Sequence, residues 1–373
     1  VTDQLVRKQF AAMNREVDVR ISHIASSEKL ILSIGPAGGH DSLFSSFLLE
    51  NGSLKELCPG KFANPYGTKN CYGEAMNYDG EVASVVSNQS QSDGVNEYSL
   101  YVYDGEDFQF SKPYSSPLKV LQIANDGKVF FSSSAGVELW DPAADSYTYL
   151  AGEVVGGGYS EILGLSDWSK FKEFDNVFPP DATNVEVSAE VDTYKLQFGS
   201  QGVVYGIADL TYSYSTAQGE HRKTVRQAAF AVKDGALYPV HKPFWDITGS
   251  YSAVSKEGTI AYYDSEDHLV IVKDGVAETY PEDVGIWPIN EVNDNGDVLL
   301  RIGSQYGVAF FTSENGLDPL PHSHYWLYGV GTKLTNCGLF DAPVFELKSE
   351  VGGYPVYRQL AYANLVGPEE CFE

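Results

Sequence analysis

The chain has 373 residues, of which 43% are hydrophobic, and its 25 Tyr and 19 Phe favour pleated strands over long helices. With 25 basic and 51 acidic side chains it carries a formal net charge of −26. That balance excludes a nucleic-acid partner, because phosphate binding needs Lys and Arg to replace counterions; it also argues against an anionic membrane surface, and no run is apolar and long enough for membrane insertion.

Taken in chain order, residues 1–16 read as a helical segment with Thr2 as a possible cap, ahead of one domain over 17–373. A repeat then begins. Each unit is a short strand, a tight polar turn, a second strand, a variable loop, and a hairpin closed by Asp-Gly, Asn-Gly or a similar pair. The clearest copies are residues 123–150, 251–280 and 289–320. First turns recur at Ser27-Glu28, Asp79-Gly80, Asp126-Gly127, Gln201-Gly202, Glu257-Gly258, Asn295-Gly296 and Asn336-Cys337-Gly338. Second turns recur at Asn51-Gly52, Asp104-Gly105, Asp141-Pro142, Asp234-Gly235, Asp274-Gly275 and Asn315-Gly316, with a degenerate one near Asn364. Gly after Asp or Asn supplies the positive φ that such hairpins need.

Four strands per unit at roughly 40–50 residues is blade spacing. The expectation is an all-β chain: a seven-bladed β-propeller of four-stranded antiparallel blades. A sandwich or a β-helix is the alternative, and a sandwich would not repeat the same two-turn unit seven times. Between Gly127 and Gly202 the spacing widens by about 30 residues. Residues of about 154–193 therefore read as an inserted helix and loop, with a degenerate eighth blade as the alternative. Trp140 reads as blade core.

Four Cys are present. Cys58 and Cys71 bracket a Pro/Gly-rich loop, and Cys371 could tether the C-terminal end to Cys337. Of the three connectivities that four Cys allow, 58–71 and 337–371 is the economical one, with four buried thiols as the alternative. Two disulfides imply an oxidising compartment, so the expected location is secreted or periplasmic. No metal-ligand spacing accompanies the Cys. The run EVNDNGD at 291–297 looks like part of a calcium loop, but Ile302 stands where the bidentate Glu would be, and the run occupies a repeat turn.

In a blade the A-to-B and C-to-D turns fall on one face, and the B-to-C and D-to-A connections on the other. The latter are expected to be long and to carry function. His40, His221, His241, His268, His322 and His324 map to that face, with Trp245, Trp287 and Trp326 beside them. Arg222, Lys223, Arg226 and Lys242 add local positive charge, unusual in so acidic a chain. Aromatic rings beside convergent polar groups suit a sugar, whose apolar face stacks while its hydroxyls hydrogen-bond. The plainer alternative is that the Trp side chains plug a channel mouth and the His are structural.

The repeat and this loop-bearing face resemble those of the seven-bladed propeller polysaccharide lyases, such as the ulvan and oligogalacturonate lyases. The resemblance covers blade architecture alone and implies cleavage of a uronate-containing polysaccharide by β-elimination. That reaction needs cations at the substrate carboxylate, a base for the adjacent proton, and an acid for the leaving oxygen. His221 or His241 is the candidate base, Tyr325 the acid, and Arg222 with Lys242 the carboxylate grip. Lys242, Trp245, Trp287, His322, His324 and Trp326 are candidate substrate-binding residues. No cofactor is required, although clustered His could hold a divalent metal. A glycosidase would need two facing carboxylates, for which Asp246, Glu282 and Asp283 are candidates. The other class of reading is a non-catalytic propeller that binds a glycan or a protein at the cell surface. A polysaccharide or oligosaccharide partner and a monomer are expected.

Overall fold

The computed structural model describes residues 17–26, 29–36, 45–57, 71–77, 79–89, 96–104, 107–151, 168–174, 178–192, 195–234, 236–241, 252–280, 288–302, 307–319, 325–327, 333–334, 340–351 and 354–363. The expected helix over 1–16 lies outside them, as do Cys58, Cys337 and Cys371; Cys71 opens a strand. The described chain is all-β, with seven antiparallel sheets, six of four strands and one of five. Four-stranded meanders taken in chain order are the blade module of a β-propeller. No helix among the described residues is long and apolar enough to cross a membrane. The chain divides into two compact units: 1–123 with 142–145 and 324–373, and 124–141 with 146–323.

The first unit holds two complete meanders. Strands Val17–Ser26, Lys29–Pro36, Ser45–Glu50 and Ser53–Glu56 form one, and Cys71–Met76, Val82–Gln89, Asn96–Tyr103 and Phe108–Phe110 the other. Their facing side chains, among them Ile31, Leu48, Val82, Val86 and Tyr101, make one apolar cluster. Its rim is polar: Lys55 Nζ lies 3.9 Å over the Tyr103 ring and donates to its hydroxyl at 2.7 Å. The Tyr101 hydroxyl donates to the Leu57 carbonyl, so a buried phenol finds a partner. This unit also holds the sheet of Tyr325–Leu327, Lys333–Leu334, Phe340–Val351 and Tyr354–Ala363.

The second unit holds the fourth, fifth and sixth sheets and most of the third. The fifth is Ala253–Val254, Ile260–Tyr263, Leu269–Lys273 and Val276–Tyr280; the sixth is Ile289–Val292, Val298–Ile302, Gly307–Thr312 and Gly316–Pro319. Between them Ala261, Tyr263, Leu269, Ile271, Leu300 and Phe311 are buried together. Trp140, 1% exposed, is core as expected.

In the third, fifth and sixth repeats the first turn is a five-residue device. In 124–128, 255–259 and 293–297 the first N–H donates to the fifth carbonyl, and the fourth N–H to the first carbonyl. The fourth residue is Gly in the left-handed region, as at Gly127 (φ 77°) and Gly296 (φ 92°). In two of these turns a polar side chain in first place adds closure: Asn293 Oδ1 accepts from the N–H of Asn295 and of Asp297, and Ser255 Oγ from Glu257 and Thr259. In EVNDNGD, the calcium-like run, Asn293 and Asp297 thus bond to each other across a turn.

Successive turns are also tied to one another. The Gln201 N–H donates to Asp126 Oδ2 at 2.9 Å, Ser200 Oγ to Glu257 Oε1 at 2.7 Å, and the Glu257 N–H to Asp294 Oδ1 at 3.0 Å. Carboxylates from the third, fifth and sixth turns thereby hold main-chain or hydroxyl donors of their neighbours. Burial pushes the Asp126 carboxyl up, but the Lys128 ammonium 2.6 Å away and the Gln201 N–H outweigh it, so its pKa lies below the usual aspartate value. A depressed folded-state pKa means stability that is present above the unfolded value and lost as pH falls through the folded one. Asp126→Ala should therefore cost about 1–2 kcal/mol at neutral pH. The gap from wild type should close progressively below about pH 4, measured by urea unfolding across that range.

Candidate functional site

The fourth sheet departs from the repeat, and its departure builds the site. Strand Val204–Thr216 pairs with Gly219–Lys233 along its whole length, from Val204↔Val232 to Thr216↔Gly219. This corrects the expectation that 216–226 is the loop between the second and third strands: Tyr212, Ser213 and Tyr214 pair with Lys223, Arg222 and His221 in a hairpin. Among the described residues, the second-to-third connections of the third and fifth sheets are also short, two residues at Ser134-Ala135 and a turn over 264–268. Nor is the insertion a helix and loop alone. It contributes the 3-10 helix Ser169–Phe174 and a nine-residue strand, Thr183–Val191, that joins the sheet beside Val204–Thr216. Trp168 meets Phe230 edge-on at 5.3 Å and Lys170 Nζ donates to the Leu237 carbonyl, which fixes the helix to the sheet.

The long hairpin is interrupted once. Ala208 pairs with Ala228 and Leu210 with Val225, so Asp209 faces both Arg226 and Gln227 in a bulge. Gln227 adopts φ 62°, strained for a residue with a Cβ, and its N–H donates to Asp209 Oδ1 at 3.0 Å. Below the bulge, the hairpin is packed into the blade. Above it, the two strands continue with Thr183–Val191 as a three-stranded arm.

A polar layer sits at the bulge, over the apolar contact of the fourth and fifth sheets formed by Ile207, Ala229, Val254, Ile260 and Val270. Gln227 is buried, and its Oε1 accepts from Ser252 Oγ, also fully buried. Lys195 Nζ lies 3.5 Å from Ser252 Oγ and 3.9 Å from Asp192 Oδ2, with its side chain 14% exposed. Burial lowers the Lys195 pKa, and the charges of Asp192 and Asp209 only partly restore it. Farther out along the same row, His241 Nε2 is 3.1 Å from the Tyr262 hydroxyl, with both side chains half-buried. Burial, then the charge of Asp264, pushes the Tyr262 phenol up, so it keeps its proton at neutral pH. Beyond it, His268 Nδ1 lies 3.5 Å from Asp264 and 3.8 Å from Glu266.

Of the candidate catalytic and substrate-binding residues that are described, His241 sits in this layer. His221 and Arg222 lie near the tip of the arm; His221 stacks on Tyr214 at 5.2 Å and shares a 2.7 Å hydrogen bond with Thr216. His241 pairs with Ala229, and Arg222 is seven residues farther along that strand. At about 3.3 Å per residue, His221 and Arg222 stand roughly 20 Å from His241 and cannot share one reacting atom with it. Tyr325 and Trp326 are described as strand backbone in the first unit; Lys242, Trp245, Trp287, His322 and His324 lie outside the described residues. Tyr262, Lys195, Ser252, Gln227 and Asp209 escaped the sequence reading. Tyr262 could have been found by register, since Ala261 pairs with Ala253 and Tyr262 therefore faces the position of Ser252; a left-handed Gln has no sequence signal.

A lysine whose folded pKa is depressed binds fewer protons folded than unfolded, between the two values, so its contribution to stability rises with pH there. Lys195→Met, which keeps the apolar stem, should flatten that rise. Unfolding free energies of wild type and variant from pH 7 to about 10 provide the comparison.

No protein-family model matches the chain, and no curated protein is similar to it. Similar solved structures include the β-propeller domain of the Trilobed protease from Pyrococcus furiosus, at 8% identity over 90% of this chain and 94% of that one, with a TM-score of 0.42. Virginiamycin B lyase from Staphylococcus aureus matches at 10% identity over 88% and 96%, with a TM-score of 0.37. YCF48 bound to D1 peptide matches at 8% identity over 88% of both chains, with a TM-score of 0.38.

Proposed function

We propose that this protein is a carbohydrate-active lyase that cleaves a uronate-containing polysaccharide by β-elimination, at the layer where the fourth and fifth sheets meet. The observation that carries the reading is the His241–Tyr262 pair, 3.1 Å apart and half-buried. Imidazole is the one side chain that both takes and holds a proton near neutral pH, so His241 serves as base toward the proton adjacent to the carboxylate. Tyr262, kept protonated by burial, donates to the leaving glycosidic oxygen and replaces Tyr325 in that role. The C–H bond breaks to His241, the electron pair forms the new double bond, the C–O bond breaks, and Tyr262 supplies the proton to oxygen. His241 then returns its proton to Tyr262 across their hydrogen bond. The Cys spacing supports placing the protein outside the cytoplasm, with pairs 58–71 and 337–371 oxidised.

Absorbance near 235 nm, which marks the unsaturated product, tests this during incubation with a panel of uronate polymers. Wild type should give a rise, and His241→Ala and Tyr262→Phe should each slow it about 100-fold or more while retaining wild-type circular dichroism. A flat wild-type trace on every polymer, or unimpaired variants, overturns the reading and favours a non-catalytic binding propeller.

A further inference from the structure

The edge strand of the arm gathers positive charge, while the added strand Thr183–Val191 on its far side carries Glu186 and Glu190. Glu220 aside, the third strand carries His221, Arg222 and Lys223 in sequence, in a chain of net charge −26. Strand alternation sends Arg222 to one side and His221 with Lys223 to the other, so cations flank the strand on both faces. The outer edge of this stretch is paired with no strand among the described residues: the neighbouring strand Ala236–His241 reaches only from Lys233 to Ala229. On the second face His221 lies flat on Tyr214, with planes 22° apart, and Phe178 meets Tyr214 edge-on at 5.7 Å. An aromatic platform beside an ammonium, with a guanidinium across the edge, matches a sugar ring that bears a carboxylate. The ring stacks, and the carboxylate takes charge-assisted hydrogen bonds. The same strand leads through the bulge at Gln227 from this platform to Ala229, the partner of His241.

From this we infer that the arm is a distal subsite: it holds an anionic polysaccharide along the edge 219–225, several sugar units from the His241–Tyr262 pair. The inference rests on the proposed lyase reading for its ligand class, and is tested without turnover. In affinity electrophoresis through gels containing polygalacturonate, wild type should be retarded and the Arg222→Ala/Lys223→Ala double variant should bind about tenfold more weakly. Arg222→Lys/Lys223→Arg, which keeps both charges, should restore most of the retardation. Dextran gels, uncharged, should retard none of them. Equal retardation of wild type and the double variant overturns the subsite, as does retardation of wild type by dextran to the same extent or no retardation by polygalacturonate at all. Equal circular dichroism spectra show that a weakened variant is still folded. A flat 235 nm trace with arm-dependent retardation would end the lyase reading alone; a rise with arm-independent retardation would end this inference alone.

Discussion

The second unit depends on hydrogen bonds between a carboxylate of one blade turn and a donor of the next. A blade can bury its two apolar faces only against neighbouring blades, so the turns must be held in register where the strands are shortest. Asp126, Glu257 and Asp294 do this with acceptors that are charged, short and directed at main-chain N–H groups or a hydroxyl. The geometry leaves little room: a methyl group on Gly199, in the fourth turn, would run into the main-chain carbonyl of Lys256 in the fifth. Several acidic residues of this very acidic chain thus have a local structural reason, apart from any contribution to solubility.

The same fixed turn ends give the opposite ends of the strands freedom to vary. In the fourth sheet the variation is one bulge, where a left-handed Gln and two carboxylates converge on a buried lysine. Desolvation disfavours the ammonium, and Asp192 and Asp209 favour it, so the cluster holds a charge whose balance is set locally. It also divides one long hairpin into a packed half and a projecting half. The His241–Tyr262 pair sits beside the packed half, and the basic stretch belongs to the projecting one.

Much of this was legible in the sequence. Asp-Gly, Glu-Gly and Asn-Gly at 126–127, 257–258 and 295–296 mark turns that the structure contains, because only Gly takes that φ without cost. Trp140 reads as core from its place in the repeat and is buried, and His241 ends strand Ala236–His241, at the connection where the repeat places it. What failed was the reading of polar runs as loops. HRKTVR falls where the repeat places a second-to-third connection, yet an exposed strand beyond the body of a blade has exposed side chains on both faces and needs no apolar alternation. The layer around Lys195 was hidden for a different reason: its members come from separate strands of two sheets and meet only through register, which no spacing in the sequence encodes.

Electrostatics explains why a polyanion-binding element in such a protein would be built on an arm. At physiological ionic strength the screening length is about 8 Å, and near 0.01 M it is about 30 Å. An arm that places Arg222 and Lys223 roughly 13–17 Å along the strand from Gln227 therefore stands between one and about two screening lengths from the polar layer in the first condition, and within one in the second. In ordinary salt, an approaching chain meets Arg222 and Lys223 together with the nearby Glu220 and Glu186, and the repulsion of the more distant carboxylates is largely screened. Basic residues set flush in the blade would have remained inside the field of the surrounding carboxylates. Extending the hairpin past the bulge, with an added strand to stiffen it, separates the two fields without changing the net charge.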